Sequence, residues 1–386
     1  MGDTRLHTYR HGGRRANNSN PSAPFLLNFN FEKMDKKIRK KTDLSVITVP
    51  NVTSTRYAEV YNQGKRWVSY GQDNRYPDYL WGLYTDAPTQ QAIIDAKTAF
   101  TLGDGVTGMD EDVNAQGETL EDVLHKCVFD LHLFGGFAIQ VIYNLGGDIS
   151  ELYWADFSKL RISKDAKKIY WCDDWNGYQI DPIEYDAFNP NMSDKTTQIF
   201  YFRGASCRSI YPVPCYISAL DSIMTEIEIQ HYHLNNILNG FAASCIINFN
   251  GGVPDEEEKK KLEEKINKKF NGTDNAGRTL ISWNESKDEA CTVEKIESDN
   301  FDKKFQQLAK DTQESIFVAH RVTSGTLLGR LPTNTGFTKN EYREAFEVFN
   351  LTVIKPYQKQ ILAALKKILP NRNISIIPFT IPNNND

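Results

Sequence analysis

Two stretches with a helical hydrophobic period, Ser218–Asn239 and Asp299–Ala319, stand on either side of a segment with quite different signals. In the first, Leu220, Ile223, Met224, Ile227, Leu234 and Leu238 recur at helical spacing, and Gly240 follows as a stop. In the second, Phe301, Phe305, Leu308, Thr312, Ile316 and Ala319 share one face. A helix with one apolar stripe gains most of its stability by burying that stripe, so each of these needs a partner surface. Any fold for this chain must supply it twice.

Between them, Phe241–Phe249 reads as a strand closed by Gly251-Gly252. Asp255–Phe270 reads as a short charged helix with acids leading and lysines following, as the macrodipole favours. Its pairs Glu256–Lys260, Glu257–Lys261 and Glu264–Lys268 contribute only ~0.2–0.5 kcal/mol each. Leu262, Ile266 and Phe270 form its narrow seam, and Thr279–Trp283 and Cys291–Ile296 read as strands.

Upstream, helix and strand signals mix. Ala87–Phe100 and Thr119–Leu133 read as helices, the latter opened by a capping-box-like Thr119-Leu-Glu-Asp122. Phe137–Tyr143 and Gln198–Phe202 read as strands, and Leu160–Ser163 with Lys168–Cys172 as a hairpin. Tyr211-Pro-Val-Pro-Cys215 excludes regular helix and marks a boundary. Downstream, 321–338 holds three glycines, Pro332, and Arg321 and Arg330 with no acid; it reads as a loop. Asn340–Leu369 is a long helix in which Pro356 implies a kink or break. The fold class is α+β.

The 386 residues allow two or three domains, and a 40% apolar content plus 24 Gly excludes wholesale disorder. No run reaches the ~18 apolar residues of a membrane span, and the N-terminus has charge without an apolar h-region, which argues against secretion. Six cysteines lie scattered with no C-x-x-C pair, so reduced thiols are expected. Residues 1–41 hold ten Lys/Arg against three acids, within a chain of net charge −5. That arm is either a solvated tail or an element docking on nucleic acid or an acidic neighbour.

Enzyme motifs are missing. There is no P-loop, no H-E-x-x-H and no G-x-S-x-G. His231 and His233, two apart on a helix, point to different faces. Asp110, Asp112, Asn114 and Glu121 echo a calcium loop, but Ala115 stands where the sharp turn needs glycine. No cofactor or metal is implied.

The order of elements from residue 119 resembles the portal protein family of tailed bacteriophages. The segments that carry it are Leu133-Phe-Gly-Gly-Phe-Ala-Ile-Gln140, Asn239-Gly-Phe-Ala-Ala-Ser-Cys-Ile246, Asn275-Ala-Gly-Arg278, and Phe317-Val-Ala-His-Arg-Val-Thr-Ser-Gly-Thr-Leu-Leu-Gly329 followed by Asn334-Thr-Gly336. Gly136 replaces the family's usual Asn, Ser244 its Pro, and Thr323-Ser324 its Pro-Pro; the last leaves the start of the 321–338 loop less rigid.

The resemblance implies a portal fold: an α/β wing, a two-helix stem, a small α/β clip and a long C-terminal helix. Projected onto this chain, it implies a flexible basic arm at 1–43, a wing at 44–217, stem helices at 218–240 and 299–320, and a clip at 241–298. A tunnel loop at 321–338, a long wing helix at 339–370 and a tail or minimal crown at 371–386 complete the projection. It further implies a ring of about twelve subunits at one capsid vertex. Double-stranded DNA would pass through it without sequence specificity. The ring would dock the terminase large subunit, then head-completion or neck proteins, within a shell of major capsid protein. The place would be the virion, after assembly in the host cytoplasm, and with no enzymatic activity in the chain.

Charge can be set against that picture. A uniformly basic wall would trap DNA through counterion release, so a conduit favours a weakly acidic lining. The stem segments carry Asp221, Glu226 and Glu228, and Asp311 and Glu314, as channel-lining candidates. Arg321 and Arg330 are the candidates for transient phosphate contact, or alternatively for pairing with a neighbour's carboxylate. Two other classes stay in view: another structural virion component, such as a head–tail connector, and a nucleic-acid-processing enzyme.

Overall fold

The computed structural model describes residues 57–177, 180–192, 197–204, 209–238, 246–249, 255–258, 260–261, 280–283, 301–329 and 339–380. Strands β1 (Glu59–Val60) and β2 (Ser69–Tyr70) pair antiparallel. Helices α1 (Tyr76–Asp86) and α2 (Pro88–Leu102) follow, each with proline in its first turn, where no helical N–H is lost. After β3 (Gly105–Thr107), α3 (Leu120–Phe134) starts from the expected capping box. The Thr119 hydroxyl accepts from Asp122 N, and the Asp122 carboxylate accepts from the Thr119 hydroxyl at 2.7 Å and from Thr119 N at 2.8 Å; these two bonds, the hydroxyl's first, hold the Asp122 pKa below its ordinary value.

Gly135 ends α3 at φ 85°, and Gly136 opens the next strand with no room for a side chain. A Cβ at 136 would lie 2.5 Å from Phe202 O and 2.9 Å from Pro212 Cγ. Packing therefore dictates the glycine where the family's usual residue is Asn.

Six strands form the main sheet: β4 (Gly136–Tyr143), β5 (Ile149–Trp154), β6 (Leu160–Ile162), β7 (Lys168–Trp171), β8 (Ile183–Ala187) and β9 (Gln198–Arg203). Their order is β5-β4-β9-β8-β7-β6, antiparallel throughout except the short parallel β8–β9 contact. Period 2 divides β4 between two cores. Phe137, Ile139 and Val141 join the apolar face of α3 in one, and Ala138 joins the α1–α2 side in the other. A fully buried Phe or Ile in such a core contributes roughly 1.5–3 kcal/mol.

The non-helical segment at 211–215 ties the first core to the neighbouring strands. Tyr211 stacks on Tyr70 at 4.1 Å, its N–H donates to Glu59 Oε1 and its hydroxyl to Val68 O. Beside it, the Arg161 guanidinium is 1% exposed and donates to Asn74 Oδ1, Asn74 O, Ser158 O and Leu160 O, all neutral acceptors.

Helix α4 (Leu220–Leu238) then leads to β10 (Ile246–Phe249) and β11 (Leu280–Trp283), which pair in parallel. Parallel neighbours require a crossover. Helical residues 256–258 lie within it, capped by Asp255, which accepts from Glu258 N at 2.8 Å. Helix α5 (Phe301–His320) returns. Residues 260–261 of the charged helix are helical too; residues 259 and 262–270, the strand expected at 291–296, the arm at 1–43 and Arg330 lie outside the described residues.

The long helix expected over 340–369 is interrupted, as Pro356 implies. Helix α6 (Lys339–Phe349) passes through a π segment, Asn350–Ile354, into α7 (Lys355–Ile368). Lys355 N–H reaches Asn350 O, an i→i−5 bond, and Pro356, lacking an N–H, falls in the first turn of α7.

Several elements go beyond the sequence reading: α1 and the strands β1, β2, β3, β5 and β8. Another is β12 (Ser375–Ile377), which pairs antiparallel with β3. The described part of 371–386 is thus joined to the first half of the chain by a strand pair, where a tail or minimal crown was expected.

Candidate functional site

Helices α4 and α5 form an antiparallel hairpin. Tyr216, just before α4, stacks on His320 at 4.8 Å, while Tyr232 stacks on Phe305 at 4.7 Å with planes 12° apart. In the middle, Gln313 Nε2 donates to Thr89 Oγ1 at 3.4 Å and the Thr89 hydroxyl donates to Glu226 Oε1 at 2.5 Å. This relay joins α5, α2 and α4.

The base of the hairpin is well covered. Ile223 and Ile316 are fully buried, and Ile227, Thr312 and His320 nearly so. Its distal half is not: Tyr232, Leu234 and Leu308 are 43%, 53% and 43% exposed. The apolar stripe read from the sequence is real, and among the described residues its proximal part is the better covered.

The acidic candidates separate by helix geometry. Asp221 and Glu228 lie seven residues apart, two turns, on one face of α4, and both are exposed. Glu226 lies five residues from Asp221, about 140° round the helix, and is half-buried against α2. Burial raises its pKa above the ordinary carboxylate value against the opposing effect of the Thr89 bond. On α5, Asp311 and Glu314 are exposed, and Asp311 accepts from Gln307 Nε2 at 2.5 Å.

Arg321 occupies a special backbone position. Arg321 N–H donates to Val318 O and Val322 N–H to Phe317 O, the bond pair of a Schellman turn closing α5. The residue at that position is left-handed and usually glycine; here it is Arg321, at φ 60°. Its side chain is exposed, and its charge sits at the negative end of α5.

The next residues make their own side-chain hydrogen bonds. Ser324 Oγ accepts from Thr326 N, Thr323 Oγ1 donates to Ala345 O at 2.8 Å, and Gly325–Leu328 make a 3₁₀ turn ended by Gly329. Leu327 is buried among Phe346, Phe349, Val353 and Ile354. Hydroxyl hydrogen bonds hold the chain where prolines would have restricted it. Arg330 lies outside the described residues, so Arg321 alone of the two cations is placed.

The other motifs of the sequence show no metal geometry among the described residues. The calcium-loop echo is occupied: Asn114 donates to Glu118 and to Leu152 O, and Glu121 accepts from Val106 N. His231 and His233 are exposed. Among the described residues, no three His, Cys, Asp or Glu side chains group to hold a metal, and no helix is long and apolar enough to cross a membrane.

Comparison with known proteins bears on this architecture. A family model described as Phage portal protein matches residues 113–379. No curated protein matches. Among solved structures, the chain is similar to one in "Neck of native GTA particle computed with C12 symmetry", at 15% identity and a TM-score of 0.54, over 85% of this chain and 88% of that one. It is also similar to chains in "Neck of empty GTA particle computed with C6 symmetry" (14% identity, 79% and 85% covered, TM-score 0.51) and in "Virion of native gene transfer agent (GTA) particle" (15%, 79% and 84%, 0.50). At these identities the likeness concerns the fold.

Proposed function

The chain belongs to the phage portal protein family and has its role at the capsid vertex, and from that premise we propose that about twelve copies close into a ring around an axial DNA channel. The observation that carries this reading is the half-covered hairpin. Two helices that expose Tyr232, Leu234 and Leu308 beyond their shared base are incomplete alone. Neighbours related by rotation would cover those side chains with the same element of the next subunit. The neck structure with C12 symmetry supports the count.

In this reading α4 and α5 are the stem, β10 and β11 with their crossover are the clip, and the six-stranded sheet with α1–α3, α6 and α7 is the wing. Double-stranded DNA passes the stem without sequence recognition. Asp221, Glu228, Asp311 and Glu314 keep the wall weakly repulsive toward phosphate. Glu226 is withdrawn from that lining by its bond to Thr89 and acts in the protomer's own packing. Arg321 and Arg330 supply the sparse cations of the tunnel-loop region. The clip receives the terminase large subunit during filling and neck proteins afterwards, and the wing meets the major capsid protein. The chain itself catalyses nothing; the motor is the terminase.

The test is packaging in particles built with Arg321→Glu, Arg330→Glu or the double variant. Shorter packaged DNA, or loss of DNA on storage, is the expected result. Full-length, retained genomes in the double variant contradict the assignment of these cations.

A further inference from the structure

A cavity of about 300 Å³ lies at the base of the hairpin, where α2, α5 and α7 meet the segment before α4. Its lining includes Lys97, Cys215, His320, Arg321 and Tyr357, and no carboxylate. Lys97 is 1% exposed, and among the described residues no Asp or Glu pairs with it. Its Nζ lies 3.4 Å from Cys215 Sγ and 5.1 Å from the centre of the Tyr357 ring. A buried ammonium without a counter-charge is costly, and the Cys215 sulfur it touches can become an anion.

The other neighbours of that sulfur complete a receptive setting. The Tyr357 hydroxyl interacts with it, and burial, then the sulfur itself, push the Tyr357 ionisation far up, so the O–H remains a donor. His320 Nδ1 is 4.0 Å away; burial drives the His320 pKa well below its usual value, so the ring is neutral. Cys215 is nevertheless exposed through the cavity mouth, where Arg321 adds a second cation. Arg321 holds that place at φ 60°, a backbone conformation glycine would adopt more readily.

We propose that Cys215 is a reactive thiol whose pocket selects anionic disulfides, forming a mixed disulfide there. Lys97 Nζ and the Tyr357 hydroxyl face the attacking sulfur, whose thiolate is the nucleophilic form of cysteine. It attacks one sulfur of the reagent. The new Sγ–S bond forms as the reagent's S–S bond breaks, and the displaced thiolate leaves with the electron pair and takes a proton from water. Cys215 is oxidised and the released thiol is the reduced product. Negative groups on the incoming disulfide meet Lys97 and Arg321 with no acid to repel them.

Two other thiols provide contrast within the same chain. Cys127 is 1% exposed, and burial pushes its thiol well above the ordinary value, so it stays inert. Cys172 is half-buried, donates to Asp174 O at 3.1 Å and sits next to Asp173, an anionic setting.

The experiment exposes the full-length protein to a dianionic aromatic disulfide, dithiobis(nitrobenzoate), or to a dicationic one, cystamine. Peptide mapping by mass spectrometry reads each cysteine separately, with rates normalised to free 2-mercaptoethanol. The normalised rate at Cys215 should favour the dianion by about tenfold or more, while Cys172 favours the cation. Arg321→Gln, at an exposed position, and Lys97→Met should each lower the Cys215 ratio severalfold. A wild-type ratio at Cys215 near or below one overturns the proposal, and this reading holds even if Lys97→Met does not fold. A Cys215 ratio that Arg321→Gln leaves unchanged overturns the role given to the cationic mouth.

Discussion

Replacing Arg321 by glycine should stabilise the protein. The residue is held at φ 60° in the turn that closes α5. For an L-residue that conformation costs about 1–2 kcal/mol. Glycine is free of that strain but adds about 0.5–1 kcal/mol of unfolded-state entropy. The arginine side chain is exposed and forms no ion pair with a described residue, so its removal subtracts little. The net gain is up to about 1.5 kcal/mol, a rise in Tm of up to about 6 °C for a unit of this size. Arg321→Ala is the control, because alanine loses the side chain and keeps the strain. Thermal unfolding of the three proteins in one buffer should rank Gly above Arg, with Ala at or below Arg. A glycine variant no more stable than the alanine variant would show that the turn stores no strain. The sequence would then hold arginine there at no conformational cost, and the link between strain and function at this residue would fail.

Glu226→Gln should raise Tm at neutral pH. Burial raises the Glu226 pKa in the folded chain, so the stability owed to its protonated form is complete at acid pH and lost as pH rises through the folded-state value. Glutamine keeps an acceptor for Thr89 and carries no charge, so wild type and variant should converge below about pH 4; equal Tm at pH 7 would refute the burial argument. Gly136→Ala should destabilise by about 1–3 kcal/mol or more in denaturant titration, because its Cβ would meet Phe202 O and Pro212; unchanged stability would mean that this approach is looser than 2.5 Å. Leu234→Asp with Leu308→Asp should leave the circular dichroism spectrum and Tm of the single chain within about 0.5 kcal/mol of wild type. The same pair should abolish assembly in sedimentation, and intact rings from that double variant would remove the reason given for ring closure.

The elements that local chemistry specifies were legible in the sequence. The Thr119–Asp122 box and the helix break at Pro356 each depend on a few adjacent residues. The two stripes that make the hairpin were legible too, since period 3.6 needs no knowledge of the partner. What escaped depends on distant residues. Helix α1 buries Tyr76, Leu80 and Leu83 at i, i+4 and i+7, but Pro77 and the exposed Trp81 among them blur that stripe in the sequence. Strand β12 is defined by its partner β3 far back in the chain. Glu226 reads like the other stem acids until α2 brings Thr89 against it. Thr323 and Ser324 read as a relaxed loop start, whereas their hydroxyls bond Ala345 O and Thr326 N. The Lys97–Cys215 contact joins residues 118 positions apart and carries no local signature.

Electron microscopy of the purified full-length chain most directly tests whether the hairpin is completed by neighbours around an axis. The account predicts annular particles of about twelve subunits with an open centre, in which α4 and α5 of every copy line the opening. Protomers that stay single at micromolar concentration, or a closed assembly with those helices on its outer surface, would contradict it.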